Sequence, residues 1–409
     1  MEINGSENRR IRSVFVLRPD HLGDLVLFSG ALKHLRRRWP MAKITLCVRS
    51  YGFELFAKCP HIDRLVDFKS VEHEGGKLPW MPSVRGANRL GNSLREYLPG
   101  LVFHAYRSDT LILPILAPTM LYHETVRRIP ARTKIGISGH LCNQSAAADR
   151  LARDWYTAQY DASGLPWNFP EMEATRNFLH YLGISASSDE IWPEFWTTEE
   201  DRRAADRHVP KQQGRIILGI APGVASNPQK RLPPEWFAQV IRRLDSEKFE
   251  LVLIGSNADV DLCEEIARSV AGHLDGHHII NLAGKTSVRE MIECLNRCDL
   301  VLSQDNASLH VATALRKPVV GIVGGGLFGR FYPWGDEGSR RVVHKPMDCF
   351  GCHWACKFET IRCLQEIPPA DAVTGLNELS TQLPARNGFA DASFQKTSSP
   401  TNRPGGARG

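Results

Sequence analysis

The sequence predicts an α/β protein with two doubly wound parallel sheets, and three observations predict it. Compact apolar runs that read as buried strands recur in both halves of the chain. Most are followed by a stretch with helical apolar spacing, the alternation that builds parallel sheets. The glycines and charged residues gather in the loops between strand and helix, where open parallel sheets bind ligands. The 409 residues fit two domains with appendages. A content of 42% hydrophobic and 23% charged residues suits a chain with substantial cores.

The first strand is predicted over Ser13-Val14-Phe15-Val16-Leu17-Arg18. The loop Pro19-Asp20-His21-Leu22-Gly23 leads to a helix beginning near Asp24. Leu25, Phe28, Leu32 and Leu35 fall on one face of that helix, and Pro40 follows its end. Ile44 to Val48 supplies the next strand, completing a parallel crossover unit. Residues 71–100 and 138–170, rich in Gly, Pro, Ser and Asn, read as loops with short helices.

Regularity returns at Ile216–Ile220, a strand followed by the loop Ala221 to Pro234. Phe237, Val240, Ile241 and Leu244 then mark a helix at i, i+3, i+4 and i+7. Leu251–Gly255 is a strand, and Asp259 opens a helix. Ile279–Leu282 is a strand, and Ser287-Val288-Arg289-Glu290 has the form of a capping box. Leu300–Leu302, a helix over Ser308–Leu315 and Val319–Val323 complete the pattern. The expected organisation is an extension over 1–11, domains over 12–190 and 191–383, and a disordered tail over 384–409, where apolar residues are few.

Met1 to Ser13 lacks the apolar region of a signal peptide. Leu111 to Tyr122, the most lipid-like stretch, is broken by Pro114 and Pro118 and is too short to span a bilayer. A cytosolic protein is expected. The formal charge of +6 is modest, and no nucleic-acid module is present. Lys33, Arg36, Arg37 and Arg38 crowd the end of the first helix. They read either as a solvated end that complements the helix dipole or as a surface for acidic headgroups.

Four loops at predicted strand ends hold the candidate site. In Arg18-Pro-Asp-His-Leu-Gly-Asp24, the glycine before a helix allows a close ligand approach, and Asp24 is either ligand-facing or a helix cap. In the loop after Ile220, Lys230 and Arg231 suit a diphosphate leaving group, or are solvated surface cations. Asp259, after Gly255, stands where acidic residues reach ribose hydroxyls. Asp305-Asn306-Ala307-Ser308-Leu309-His310 opens a helix whose first N–H groups suit phosphate. The alternative is an Asn or Ser cap with a structural histidine. Ala283-Gly284-Lys285-Thr286 mimics a P-loop, but Ile279 stands where that motif requires glycine.

Taken in order, Gly23-Asp24, Lys230-Arg231-Leu232-Pro233, Ala283 to Thr286 and Asp305-x-x-x-x-His310 resemble glycosyltransferase family 9, the lipopolysaccharide heptosyltransferases. The resemblance covers roughly residues 12 to 380. It implies a GT-B architecture, two Rossmann-like domains facing across a cleft, with the acceptor held mainly by the first and the donor mainly by the second. It also implies an inverting, metal-free transfer of heptose from a nucleotide sugar, ADP-heptose, to a lipopolysaccharide core or related glycolipid or oligosaccharide. Asp24 then matches the catalytic base and Lys230 the lysine that stabilises the departing diphosphate. Arg18, Arg231, Asp259 and the segment Asp305 to His310 match the donor and cleft positions. The family segment usually reads Asp-Thr-Gly where this chain has Asp305-Asn306-Ala307, and Asp259 replaces what is often a glutamate. Localisation at the cytoplasmic face of the inner membrane follows as an expectation.

Cys349, Cys352, Cys356 and Cys363 form a cluster that reads as reduced thiols, a structural zinc or iron site, or a redox bridge. The other six cysteines read as small core residues. Catalysis is expected to need no cofactor. Three further functions compete: the same reaction with a different nucleotide sugar, a non-catalytic nucleotide-sugar or metal-binding scaffold, and a redox or metal-sensing regulator that rests only on the four cysteines.

Overall fold

The computed structural model describes residues 11–71, 103–142, 144–210, 214–224, 228–272 and 279–383. The extension to residue 10 and the tail from 384 therefore lie outside the described residues, as does most of 71–100.

The first half carries strands β1 (Ser13–Leu17), β2 (Lys43–Val48), β3 (Arg64–Asp67), β4 (Ser108–Ile112), β5 (Ala131–Ser138) and β6 (Ala158–Asp161). Its helices are α1 (Leu22–Ser29), α2 (Leu32–Arg38), α3 (Gly52–Phe56), α4 (Met120–Arg128), α5 (Ala146–Ala152) and α6 (Glu171–Tyr181). The second half carries β7 (Ile216–Ala221), β8 (Phe249–Leu253), β9 (Ile280–Asn281), β10 (Leu300–Gln304), β11 (Val319–Ile322) and β12 (Arg340–Val343). Around them lie α7 (Glu199–His208), α8 (Pro234–Ile241), α9 (Val260–Val270), α10 (Val288–Arg297), α11 (Ala307–Ala314), α12 (Arg362–Gln365) and α13 (Pro369–Thr381).

Every strand pair is parallel, and the two sheets run β3-β2-β1-β4-β5-β6 and β12-β11-β10-β7-β8-β9. Counted within each half, both have the order 3-2-1-4-5-6, whose reversal point lies beside the first strand. In the first half that strand is β1, and its carboxyl end delivers Arg18 to Asp24. In the second it is β7, whose neighbour β10 delivers Asp305 to His310. The strands are buried on both faces: Val14, Val16, Leu17, Leu218, Ile220, Leu300 and Leu302 are at most 1% exposed.

The capping box at Ser287 forms as its spacing predicts, with Ser287 Oγ accepting from Glu290 N and Glu290 returning to Ser287 N. The single helix expected over Leu25 to Leu35 is instead two. It breaks at Gly30-Ala31 because the connector between the halves crosses there. A Cβ on Gly30 would lie 2.2 Å from the carbonyl oxygens of both Ile191 and Trp192. The reading of 138–170 as loops with short helices fits α5 but misses β6, and β4, β5 and β12 are further strands the periodicity did not mark.

Two of the four residues of the basic cluster are paired, and Arg37 is exposed. Lys33 pairs with Glu194 at 2.6 Å and Arg36 with Asp63 at 2.5 Å, and Arg36 also donates to Ala42 O. No helix among the described residues is long and apolar enough to cross a membrane.

Candidate active site

The two sheets face each other across a cleft, and its closest point joins α1 to α11. A Cβ on Gly23 would lie 2.9 Å from His310 Cδ2 and 3.8 Å from Ala307 Cα, so the first turn of one helix rests directly on the other. Glycine is required by this approach, not by its dihedral freedom.

Asp24 occupies the first turn of α1. His21 is the N-cap residue and makes no side-chain capping bond, and the charge of Asp24 reaches Lys230 on the other side of the cleft. It is half-buried. Desolvation, then the neighbouring Asp20 and Glu171 carboxylates, push its pKa up to about 8, while Arg18 and Arg330 pull it down. The floor beneath it is a buried charge network. Arg18, 1% exposed, meets Asp20 Oδ2 at 2.8 Å and Glu171 Oε1 at 2.9 Å, and its Nη1 donates to Pro114 O. Arg18 is thus a structural cation under the base, not a free donor ligand. Asp20 and Glu171 escaped the sequence reading. For Asp20 the signal was a second acid beside Arg18 in the same loop; Glu171 had only its place after Pro170 at a helix start.

Across the cleft, Lys230 ends a single 3-10 turn, Pro228–Lys230. Gln304, the last residue of β10 and 1% exposed, holds this turn from both sides. Its Nε2 donates to Lys230 O at 2.9 Å and its Oε1 accepts from Leu232 N at 3.1 Å. The Lys230 ammonium lies 3.9 Å from the ring centroid of Trp354. Burial lowers its pKa, and Asp305 and Asp24 oppose that shift. The lysine of one half thus sits in the field of the carboxylate of the other. Neither Gln304 nor Trp354 carried a local motif.

Arg231 and Asp259 are brought together, but in a way the sequence did not predict. Arg231 Nη2 bonds Asp259 Oδ1 at 3.1 Å, while Asp259 Oδ2 accepts from the amide and hydroxyl of Ser256 in a capping box. Gly223 packs on this carboxylate, with space for no Cβ: the nearest atom would be at 2.4 Å. Asp259 therefore presents a partly satisfied carboxylate, and Arg231 a paired cation.

The segment Asp305 to His310 is corrected in one respect. Asn306 is the N-cap of α11, and its Oδ1 accepts from Ser308 N and Leu309 N. Those amides are taken up within the protein and do not form an open phosphate cradle. Asn306 Nδ2 also donates to Ala221 O and Gly223 O, tying the helix start to β7. His310 is 4% exposed and its Nδ1 accepts from Trp334 Nε1 at 3.1 Å. The ring is held neutral by burial, so its proton is on Nε2, 3.9 Å from Asp305 Oδ1.

All ten cysteines are free thiols. Cys349, Cys352, Cys356 and Cys363 line one small cavity with Phe350 and Trp354. Cys363 Sγ accepts from Gly325 N, and Cys356 Sγ donates to Thr360 O. Among the described residues, no three His, Cys, Asp or Glu groups stand at metal-ligand geometry. The loop packs instead on Gly324–Gly326, where Phe350 and Trp354 leave no room for a Cβ. It delivers Trp354 to Lys230.

The sequence model of glycosyltransferase family 9 (heptosyltransferase) matches residues 166–353. The chain is 24% identical over 322 residues to the lipopolysaccharide heptosyltransferase 2 of Salmonella typhimurium, covering 76% of this chain and 82% of that one. Among solved structures, the glycosyl transferase family 9 protein of Veillonella parvula superposes with a TM-score of 0.65 at 20% identity, covering 93% of this chain and 99% of that chain. The E. coli ADP-heptose lps heptosyltransferase II gives 0.63 at 18% identity, with 91% and 99% covered. The fold is GT-B, two parallel sheets across a cleft. Sequence and architecture agree: residues 166–353 match glycosyltransferase family 9, and the chain is similar over most of its length to heptosyltransferases of that family.

Proposed function

We propose that the protein is an inverting heptosyltransferase that moves a heptosyl group from ADP-heptose to a lipopolysaccharide-core acceptor. The observation that carries this reading is the opposition of Asp24 and Lys230, one from each half, with the lysine in the field of the Asp24 carboxylate. Relatives of this chain are lipopolysaccharide heptosyltransferases, and a solved one is an ADP-heptose lps heptosyltransferase.

The ionised Asp24 carboxylate accepts the proton of the acceptor hydroxyl as its oxygen attacks the anomeric carbon. The bond from that carbon to the β-phosphate oxygen breaks on the opposite face, and a single displacement inverts the configuration. Lys230 neutralises the charge that develops on the departing diphosphate. Trp354 and Gln304 fix the lysine beforehand, so little reorganisation is needed at the moment of reaction. The Nε2 proton of neutral His310, beside Asp305, is available to a donor hydroxyl. No step uses a metal. The acceptor places the reaction at the cytoplasmic face of the membrane that carries it.

Calorimetric titration with ADP, UDP and GDP, on wild type and Lys230→Ala, tests the donor. Selective micromolar ADP binding that weakens in the variant is the expected result. A preference for UDP or GDP reassigns the donor while keeping the transferase, and absence of nucleotide binding by the wild type overturns the reading.

A further inference from the structure

The two halves share one buried charge network whose members come from three distant stretches of sequence. Glu171, the first residue of α6, is 3% exposed. Its Oε1 accepts from Arg18 Nη2 at 2.9 Å, and its Oε2 from Arg330 Nη2 at 3.4 Å. Arg18 follows β1 in the first half, whereas Arg330 follows β11 in the second. The main chain is joined at the same point, where Glu171 N donates to Arg330 O at 2.9 Å. Arg330 is 3% exposed, and its Nε and Nη1 have no hydrogen-bond partner among the described residues. A guanidinium buried with half a carboxylate is an expensive arrangement for stability alone.

We propose that Arg330 is a positioning residue that, by reaching across the cleft to Glu171, completes the charged floor beneath Asp24. This rests on the reading of Asp24 as the base.

The geometry gives Arg330 a specific task. Glu171 is shared, and Arg18 already divides its cation between Glu171 and Asp20. Without Arg330, three carboxylates (Asp20, Asp24 and Glu171) surround the one arginine of the first half. Arg330 brings the second cation to this floor, and Lys230 faces Asp24 from the donor side. The hydroxyls of Tyr51 and Tyr122 close the remaining flank, Tyr51 donating to Asp20 O and Tyr122 to Pro19 O. Arg330 favours the ionised form of Asp24, and Glu171 disfavours it.

The test is the pH dependence of kcat/KM in the full chain, with ADP-heptose and core-truncated lipopolysaccharide, for Arg330→Met, Arg330→Lys and Glu171→Gln. Arg330→Met should move the acidic limb to higher pH by about one unit, and Glu171→Gln should move it to lower pH by a similar amount, the scale of one close buried charge. Arg330→Lys should restore much of the wild-type position, and ADP affinity should stay within about twofold in all three. A purely structural role does not shift the limb in opposite directions. Limbs that stay put, or move the same way, overturn the proposal, as does a loss confined to ADP binding. If Glu171→Gln does not fold, Arg330→Met decides alone, because it leaves Glu171 paired with Arg18. Asp24→Asn separates the two ideas: near-normal turnover removes the base and the role of Arg330 together, whereas an inactive variant alongside unmoved limbs removes only the latter.

Discussion

Gly23 and His310 touch across the cleft so closely that a single methyl group at Gly23 would stand 2.9 Å from the imidazole Cδ2. The contact joins the first turn of the helix that carries the base to the first turn of the helix that carries the donor-side histidine. Gly23→Ala is therefore expected to displace His310 or tilt α1, and to lower kcat by about 10- to 100-fold, the effect of sub-ångström to 1 Å misplacement. ADP affinity should change little, because Lys230 and Gln304 lie away from the contact. Steady-state kinetics beside calorimetry checks it, and unchanged kcat would show that the site tolerates the shift.

Asp24 makes a prediction with two signs. Between the ordinary carboxyl value of 3.8 and about 8, the unfolded chain has released a proton that the folded chain retains. Native stability therefore falls as pH rises through that window. Asp24→Asn, which cannot ionise, should raise stability at neutral pH by on the order of 1 kcal/mol while cutting turnover by roughly 100-fold or more. Wild-type kcat/KM should rise with an acidic limb centred near pH 8. Thermal melts and a pH profile on the same preparations read both effects.

The stacking of Lys230 on Trp354 is expected to hold the ammonium for the diphosphate. Trp354→Leu keeps an apolar filler but removes the ring face, and it should raise the ADP dissociation constant by about 3- to 5-fold, the equivalent of a cation–π contact of 0.5–1 kcal/mol. Lys230→Ala should be more severe, and the double variant no worse than Lys230→Ala alone. Additive losses in this cycle would show that Trp354 acts independently of the lysine.

Gln304→Leu should destabilise the protein by about 1–3 kcal/mol, because it strands the buried Leu232 amide and the Lys230 carbonyl. It should also weaken ADP binding, since the turn presenting Lys230 loses both of its ties. Chemical denaturation and titration give the two numbers, and a stability loss with intact ADP binding would make Gln304 a fold residue only.

Much of the second half was legible because its signals are local. The apolar runs of β7, β8 and β10 and the capping box at Ser287 are set by residues within a few positions of one another. Asp24 and Lys230 were legible for a similar reason, each lying in a loop directly after a strand. Edge strands carried less signal: β6 reads Ala-Gln-Tyr-Asp and β12 reads Arg-Arg-Val-Val, with few side chains in the core. The break in the first helix is decided by carbonyls more than 160 residues away. Glu171, Arg330 and Gln304 acquire their roles only when distant segments meet. The pairing of Arg231 with Asp259, and of Asn306 with the amides once assigned to phosphate, shows local polar groups finding partners inside the protein.

The connector that breaks the first helix has a mechanical consequence. Around residues 190–194 it is fastened to α1 and α2 by Glu194 N to Ser29 Oγ, by Lys33 to Glu194 and by His34 to Glu190 O. Trp192 Nε1 donates to Ala314 O, at the far end of α11. The two helices that touch at Gly23 and His310 are thus strapped together at their other ends as well. Their shared line behaves as a fulcrum: rotation of one half against the other displaces groups near it least and groups on the outer rim most. Any rotation about that line changes the spacing of Asp24 and His310, at the starts of these helices, least.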